Sequence, residues 1–123
     1  MEQLASILMH SRTQSHVFHL RMKGPKAYEF HKALNTYYDD IVDLIDTLVE
    51  GYQGKNGVIE FKAVKGIDNN ATPENVISYF DKLIAIVDKL RKEESLSDSF
   101  LQNEIDNVVN LLYSTRYKLI NLG

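Results

Sequence analysis

Residues 19–50 read HLRMKGPKAYEFHKALNTYYDDIVDLIDTLVE, and the rest of the chain is organised around them. Gly24 and Pro25 side by side interrupt any helix that runs through them, so the stretch opens on a helix end. From Lys26 a helical period returns. Phe30, Leu34, Tyr37, Ile41, Leu44, Ile45 and Leu48 recur at spacings of three and four, which makes one apolar stripe. Another face of the same helix is polar. At 100° per residue, His31, Asn35, Asp46 and Glu50 fall at about 0°, 40°, 60° and 100°. Yet His31 and Asp46 are fifteen residues apart, roughly 22 Å along the axis, so no single metal ion touches both within one subunit. A two-fold axis that sets two copies antiparallel brings the His end of one against the Asp/Glu end of the other. A site on this face is therefore expected between subunits. On periodicity alone, Asp39, Asp40, Asp43, Asp46 and Glu50 read more simply as the solvated side of a long helix.

Working outward, residues 2–22 read as a first helix, with Leu4, Ile7, Leu8, Ser11, Ser15, Phe18 and Met22 in the three-four rhythm. His16 and His19 lie one turn apart near its end and Arg12 a turn earlier, which in its plainest reading is a polar patch. The second helix spans 26–53, with Gly51 and Gly54 expected to frame its end as C-cap residues. Residues 54–72 break the helical pattern and predict a long connection with some extended backbone. A short strand there would need a partner from another subunit. Thr72, Pro73 and Glu74 make a strong helix start: an N-cap, a proline at the first helical position and an acid in the first turn. The third helix is expected over 73–94, and Ser97-Asp98 opens a fourth over 97–121. Four helices with one long crossover between the second and third predict an all-α, ferritin-like four-helix bundle, a single domain over 1–123.

Composition narrows the chemistry. At 123 residues, 44% apolar and 25% charged, the chain suits one compact domain with a real core. The net charge is −3 and neither end carries a basic tail, so DNA binding through a cationic arm is not expected. The absence of cysteine excludes disulfides, thiolate metal sites and thiol catalysis. No membrane span or signal peptide is visible, and the cytoplasm is the expected location. The glycines form no phosphate loop or dinucleotide fingerprint. A di-iron centre inside one bundle wants a Glu-x-x-His pair on each of two helices, and no histidine here has a Glu three residues before it. What stays open is a mixed imidazole and carboxylate site across a dimer axis, suited to Fe(II), Zn(II) or Mn(II).

The same residues resemble the Dps family, the ferritin-like mini-ferritins known as DNA-binding proteins from starved cells. Their signature places a histidine before a basic-Gly corner, a second histidine on the next helix, an acid one turn later, and then Asp-x-x-x-Glu. Here the positions are His19, Lys23-Gly24, His31, Asn35, and Asp46 through Glu50, with the spacing kept from His19 to Glu50. Ser97-Asp98 and Tyr117-Lys118-Leu119 are similar to the family's Gly-Asp helix start and Trp-x-Leu ending. The likeness covers residues 4–53 strongly and 80–121 weakly. It implies a homo-oligomer, twelve-subunit if family-like, that oxidises Fe(II) with hydrogen peroxide, sequesters the product and acts in oxidative stress. It also implies a metal site of His19, His31 and Asn35 facing Asp46 and Glu50 of a partner, with His16, Arg21, Lys23 and Tyr38 flanking it. Departures are plain: Asn35 stands where the family has a bridging aspartate, Leu20 where it has an aromatic, and Gly51 where an arginine follows the glutamate. The Lys-rich tail and the family's short helix within the crossover have no match. Two other readings stand beside a ferroxidase. One is a non-catalytic Dps-like oligomer that holds a small molecule or nucleotide at an interface, with Tyr37, Tyr38, Tyr52, Arg12, Arg21 and Lys23 as pocket candidates. The other is a structural interaction bundle.

Overall fold

A computed structural model describes residues 1–64 and 66–122. Four helices account for most of it: α1 (Glu2–Arg21), α2 (Ala27–Asn56), α3 (Pro73–Leu90) and α4 (Ser99–Asn121), with one 3-10 turn at Glu94–Leu96. No strand occurs among the described residues. The α1–α2 corner forms where expected. Gly24 takes φ +95°, a conformation side-chain-bearing residues avoid, and its carbonyl accepts the Ala27 N–H at 3.1 Å. Thr72 caps α3 through its hydroxyl, which accepts the Asn75 N–H at 3.3 Å, with Pro73 at the first helical position.

Three helix boundaries differ from the sequence expectation by more than one residue. α2 runs straight through Gly51 and Gly54 to Asn56, and Gly57, at φ +91°, is the residue that ends it. A glycine inside a helix costs only about 1 kcal/mol, and the apolar stripe continues past Gly51, since Tyr52 packs against the core. α3 stops at Leu90 rather than near residue 94, because Leu96 is fully buried and draws the chain inward. Gln102 then holds that turn: its amide donates to the carbonyls of Arg91 and Leu96 at 2.9 and 2.8 Å. α4 begins at Ser99, and the Asp98 side chain makes no cap. It pairs instead with Lys55 at 2.8 Å, which ties the start of α4 to the end of α2.

Neighbours around the bundle are α1 with α2, α2 with α4, α4 with α3, and α3 with α1, so α2 and α3 lie on a diagonal. One apolar core joins all four, with Leu8, Phe18, Phe30, Leu34, Ile41, Phe80, Val87, Ile105 and Leu112 each fully buried. The diagonal explains the long connection. Residues 57–64 and 66–72 form a strap that runs back along the outside of α1, from Ser6, which accepts the Lys62 N–H at 2.8 Å, to Arg21, which donates to the Asn69 carbonyl at 2.9 Å. α3 therefore starts at the end of the bundle where α2 started and runs parallel to it. The strap's backbone partners are side chains. His10 Nε2 lies 2.6 Å from the Gly66 carbonyl. Gln14 bonds Asp68 twice, accepting its N–H at 2.8 Å and donating to its carbonyl at 2.7 Å.

Candidate functional site

The antiparallel packing of α1 on α2 brings His19 against His31 just above the Gly24 corner. The two rings stack with centroids 3.5 Å apart and planes 25° from parallel. Each Nδ1 points at the other residue's backbone carbonyl, His19 to His31 at 2.9 Å and His31 to His19 at 3.3 Å. A carbonyl only accepts, so both Nδ1 atoms carry the proton and both Nε2 atoms of the neutral rings are acceptors. The same arrangement orients imidazoles that ligate metals. His16 and Tyr38 complete the cluster. Tyr38 stacks on His16 at 4.4 Å and meets His19 edge-on at 5.3 Å, and His16 lies 5.9 Å from His19.

Charge is disfavoured on His19. The His19 pKa is lowered, first by burial and then by the neighbouring His31 and His16 imidazoles; the hydrogen bond to the His31 carbonyl and the carboxylate of Asp39 act in the opposite sense. A neutral His19 keeps its Nε2 lone pair. Asn35 is engaged at both ends of its amide: the Tyr38 hydroxyl donates to its oxygen at 2.6 Å, and its nitrogen donates to Asp39 at 3.2 Å. Asn35, expected as a ligand, thus also positions Tyr38 and Asp39.

Of the expected site residues, the structure brings together His16, His19, His31, Asn35 and Tyr38. Asp46 and Glu50 are exposed farther along α2, apart from the histidines as the axial rise requires. No group of three or more His, Asp or Glu side chains suited to one ion exists among the described residues. Rings stacked in near-parallel planes do not converge their lone pairs on one point, so a shared ion needs one ring to turn. Arg21 is committed to the strap, and Lys23 is exposed at the corner. Tyr37 corrects its pocket assignment: it is fully buried in the core, its hydroxyl 2.7 Å from Ser11 and its pKa raised by burial. Tyr52 packs on the core as well.

A cleft of about 610 Å³ opens between α1, α2 and the strap. Val42, Ile45, Val64 and Ile67 make its apolar floor, and Arg12, Lys62 and Asp46 its charged lining. Sequence reasoning missed the residues that fasten the strap beside it. Ser6, His10 and Gln14 are polar at four-residue spacing on one face of α1, a row whose purpose becomes plain once the strap lies on it.

The chain belongs to the family of unknown function DUF5856, whose profile matches residues 19–119. It is also similar to a protein of Enterobacteria phage T4, the uncharacterized 14.6 kDa protein in the mobD-ri intergenic region. Identity is 25% over 118 residues, 96% of this chain and 86% of the phage protein. No solved structure matches the chain.

Proposed function

We propose that this member of DUF5856 is a ferritin-like bundle of the Dps type, whose copies bind and oxidise Fe(II) at a site shared across a two-fold axis. The observation that carries the reading is the His19–His31 pair: two adjacent imidazoles, both Nδ1 atoms fixed on carbonyls, both Nε2 atoms left as acceptors. The helix adjacency, with α2 and α3 diagonal and a strap between them, supports a ferritin-like topology. The carboxylates that an imidazole pair lacks are Asp46 and Glu50, exposed on the same helix about 22 and 28 Å from His31 by rise, and an antiparallel second copy supplies them. Fe(II) is the substrate here. Imidazole nitrogen with carboxylate oxygen suits that ion, and Zn(II) or Mn(II) in the same way, and hydrogen peroxide takes up the electrons that iron gives. The Tyr38 hydroxyl takes one lone pair of the Asn35 oxygen, which leaves that neutral amide a weaker ligand beside the two imidazoles.

Anaerobic Fe(II) titration of the purified protein, followed by peroxide, tests this, with iron(III) absorbance and particle mass recorded together. Saturable binding that disappears in His31→Ala is the expected result. Asn35→Asp is expected to tighten binding by restoring a carboxylate beside the histidines. Binding no greater than that of His31→Ala, from an intact oligomer, overturns the reading. The cleft favours a second reading, a pocket for a small anion with an apolar body. Arg12 and Lys62 stand over its apolar floor, and nucleotide-induced thermal stabilisation that Arg12→Ala removes is its test.

A further inference from the structure

The outer edge of the strap is where the structure says more. Residues 58–64 read VIEFKAV, and that sequence is self-complementary when it meets its own reverse. Paired antiparallel about Phe61, Val58 faces Val64, Ile59 faces Ala63, and Glu60 faces Lys62. Phe61 faces itself. The pairing puts opposite charges directly across from each other twice, where like charges would repel.

Around Phe61 the backbone is free to make such a pair. Between residues 58 and 71 no backbone–backbone hydrogen bond occurs among the described residues. Two of the amides in 58–64 are met by side chains, Ile59 by Gln53 at 3.1 Å and Lys62 by Ser6 at 2.8 Å. The N–H groups of Phe61 and Ala63, on either side of Lys62, have no hydrogen-bond partner among the described residues. These are the unpaired edge groups that invite another strand. The side chains agree: Val58 is 89% and Phe61 51% exposed. Glu60 and Lys62 are exposed and have no ion-pair partner among the described residues. The edge is also held in place, since Ser6, His10, Gln14 and Arg21 fasten the strap to α1. Pre-ordering of this kind lowers the entropy cost of association.

We propose that residues 58–64 pair antiparallel with the same residues of a second copy of this chain, about a two-fold axis through Phe61. Two Phe61 N–H···O bonds form its centre, and the Glu60–Lys62 pairs flank it. Seven residues a side is less than a free-standing interface, which takes roughly 20–30, so the contact is one of several holding an assembly. It does not depend on the iron reading. The His19–His31 register sets Ser6 level with Leu44 of α2, and the axis that brings His31 onto Asp46 and Glu50 passes near residues 39–40. The two axes are therefore at least about 6 Å apart along the bundle. If both contacts form, the particle is larger than a dimer.

Charge reversal decides it. E60K and K62E each place like charges opposite one another twice, and the double variant E60K/K62E restores both pairs with the signs exchanged. Sedimentation of wild type and the three variants over a concentration series, with far-UV circular dichroism as the folding check, is the experiment. The expected result is association weakened about tenfold in each single variant and recovered in the double. A wild type that stays monomeric, single variants that associate normally, or a double variant as weak as the singles overturns the proposal. Because E60K leaves His19 and His31 untouched, loss of strap pairing and loss of iron binding are separable.

Discussion

The α1 side of the bundle and the α3–α4 side are held together by different means. α3 and α4 meet through apolar stripes, Phe80, Leu83 and Val87 against Ile105, Val108 and Leu112 as parts of the one core. Their polar links sit at the rim, Arg116 with Asp81 and Arg91 with Asp106. α1 instead buries Ser6, Ser11, Gln14, Ser15 and His19. Ser11 and Ser15 return their hydroxyls to carbonyls one turn back, at 2.6 and 2.7 Å. Ser6 and Gln14 take the strap, and His19 takes His31. A helix that buries this much polarity is stable only when each group finds a partner. The α3–α4 side can therefore be read as scaffold, while α1 carries two attachments: a strap on one flank and a histidine pair on another.

The largest effect that tests this contrast belongs to Gln14. It is 1% exposed and makes two hydrogen bonds to the Asp68 backbone. Gln14→Ala removes both and is expected to lower stability by about 2 kcal/mol, at about 1 kcal/mol per bond. It is also expected to loosen the strap. Urea denaturation reads the first change, and faster tryptic cleavage after Lys62 the second. A variant as stable and as protease-resistant as wild type would mean that the polar row on α1 does not fasten the strap.

How much of this was legible beforehand follows the same division. The α2 stripe from Phe30 to Leu48 and the Thr72-Pro73 start announce themselves because their causes are local. Gly51 and Gly54 misled for the converse reason: a glycine marks a helix end only where the chain needs positive φ, and that requirement falls on Gly57. The approach of His19 to His31 was implied by the family resemblance over residues 19–50, whereas the near-parallel stacking of their rings was not. The purpose of Ser6, His10 and Gln14 was invisible, since their partners are carbonyls and amides some fifty residues away and backbone groups leave no mark in a sequence.

A smaller and pH-dependent effect belongs to His19. Its folded pKa lies below the ordinary 6.5, chiefly through burial. Between that lowered value and 6.5 the unfolded chain binds more protons than the native one. The contribution of His19 to stability is therefore complete above pH 6.5 and is lost as the pH falls through the folded pKa. Wild-type urea midpoints are expected to drop from neutral pH toward about pH 5, and His19→Gln to flatten that part of the profile. An unchanged slope in the variant would place the titration elsewhere.

The smallest effect is expected on the scaffold side. Arg116 and Asp81 join α4 to α3, but their side chains are 40% and 48% exposed, so water already screens the pair and holding two side chains in one geometry costs entropy. Exposed pairs of this kind contribute about 0–1 kcal/mol. Arg116→Ala is expected to change the urea midpoint by no more than that, and less in high salt, where the pair is weakened further. Set beside Gln14→Ala, the measurement separates the two sides of the molecule. If Arg116→Ala proved the costlier, the α3–α4 side would rest on its rim rather than on its stripe, and the contrast drawn from the burial pattern would fail.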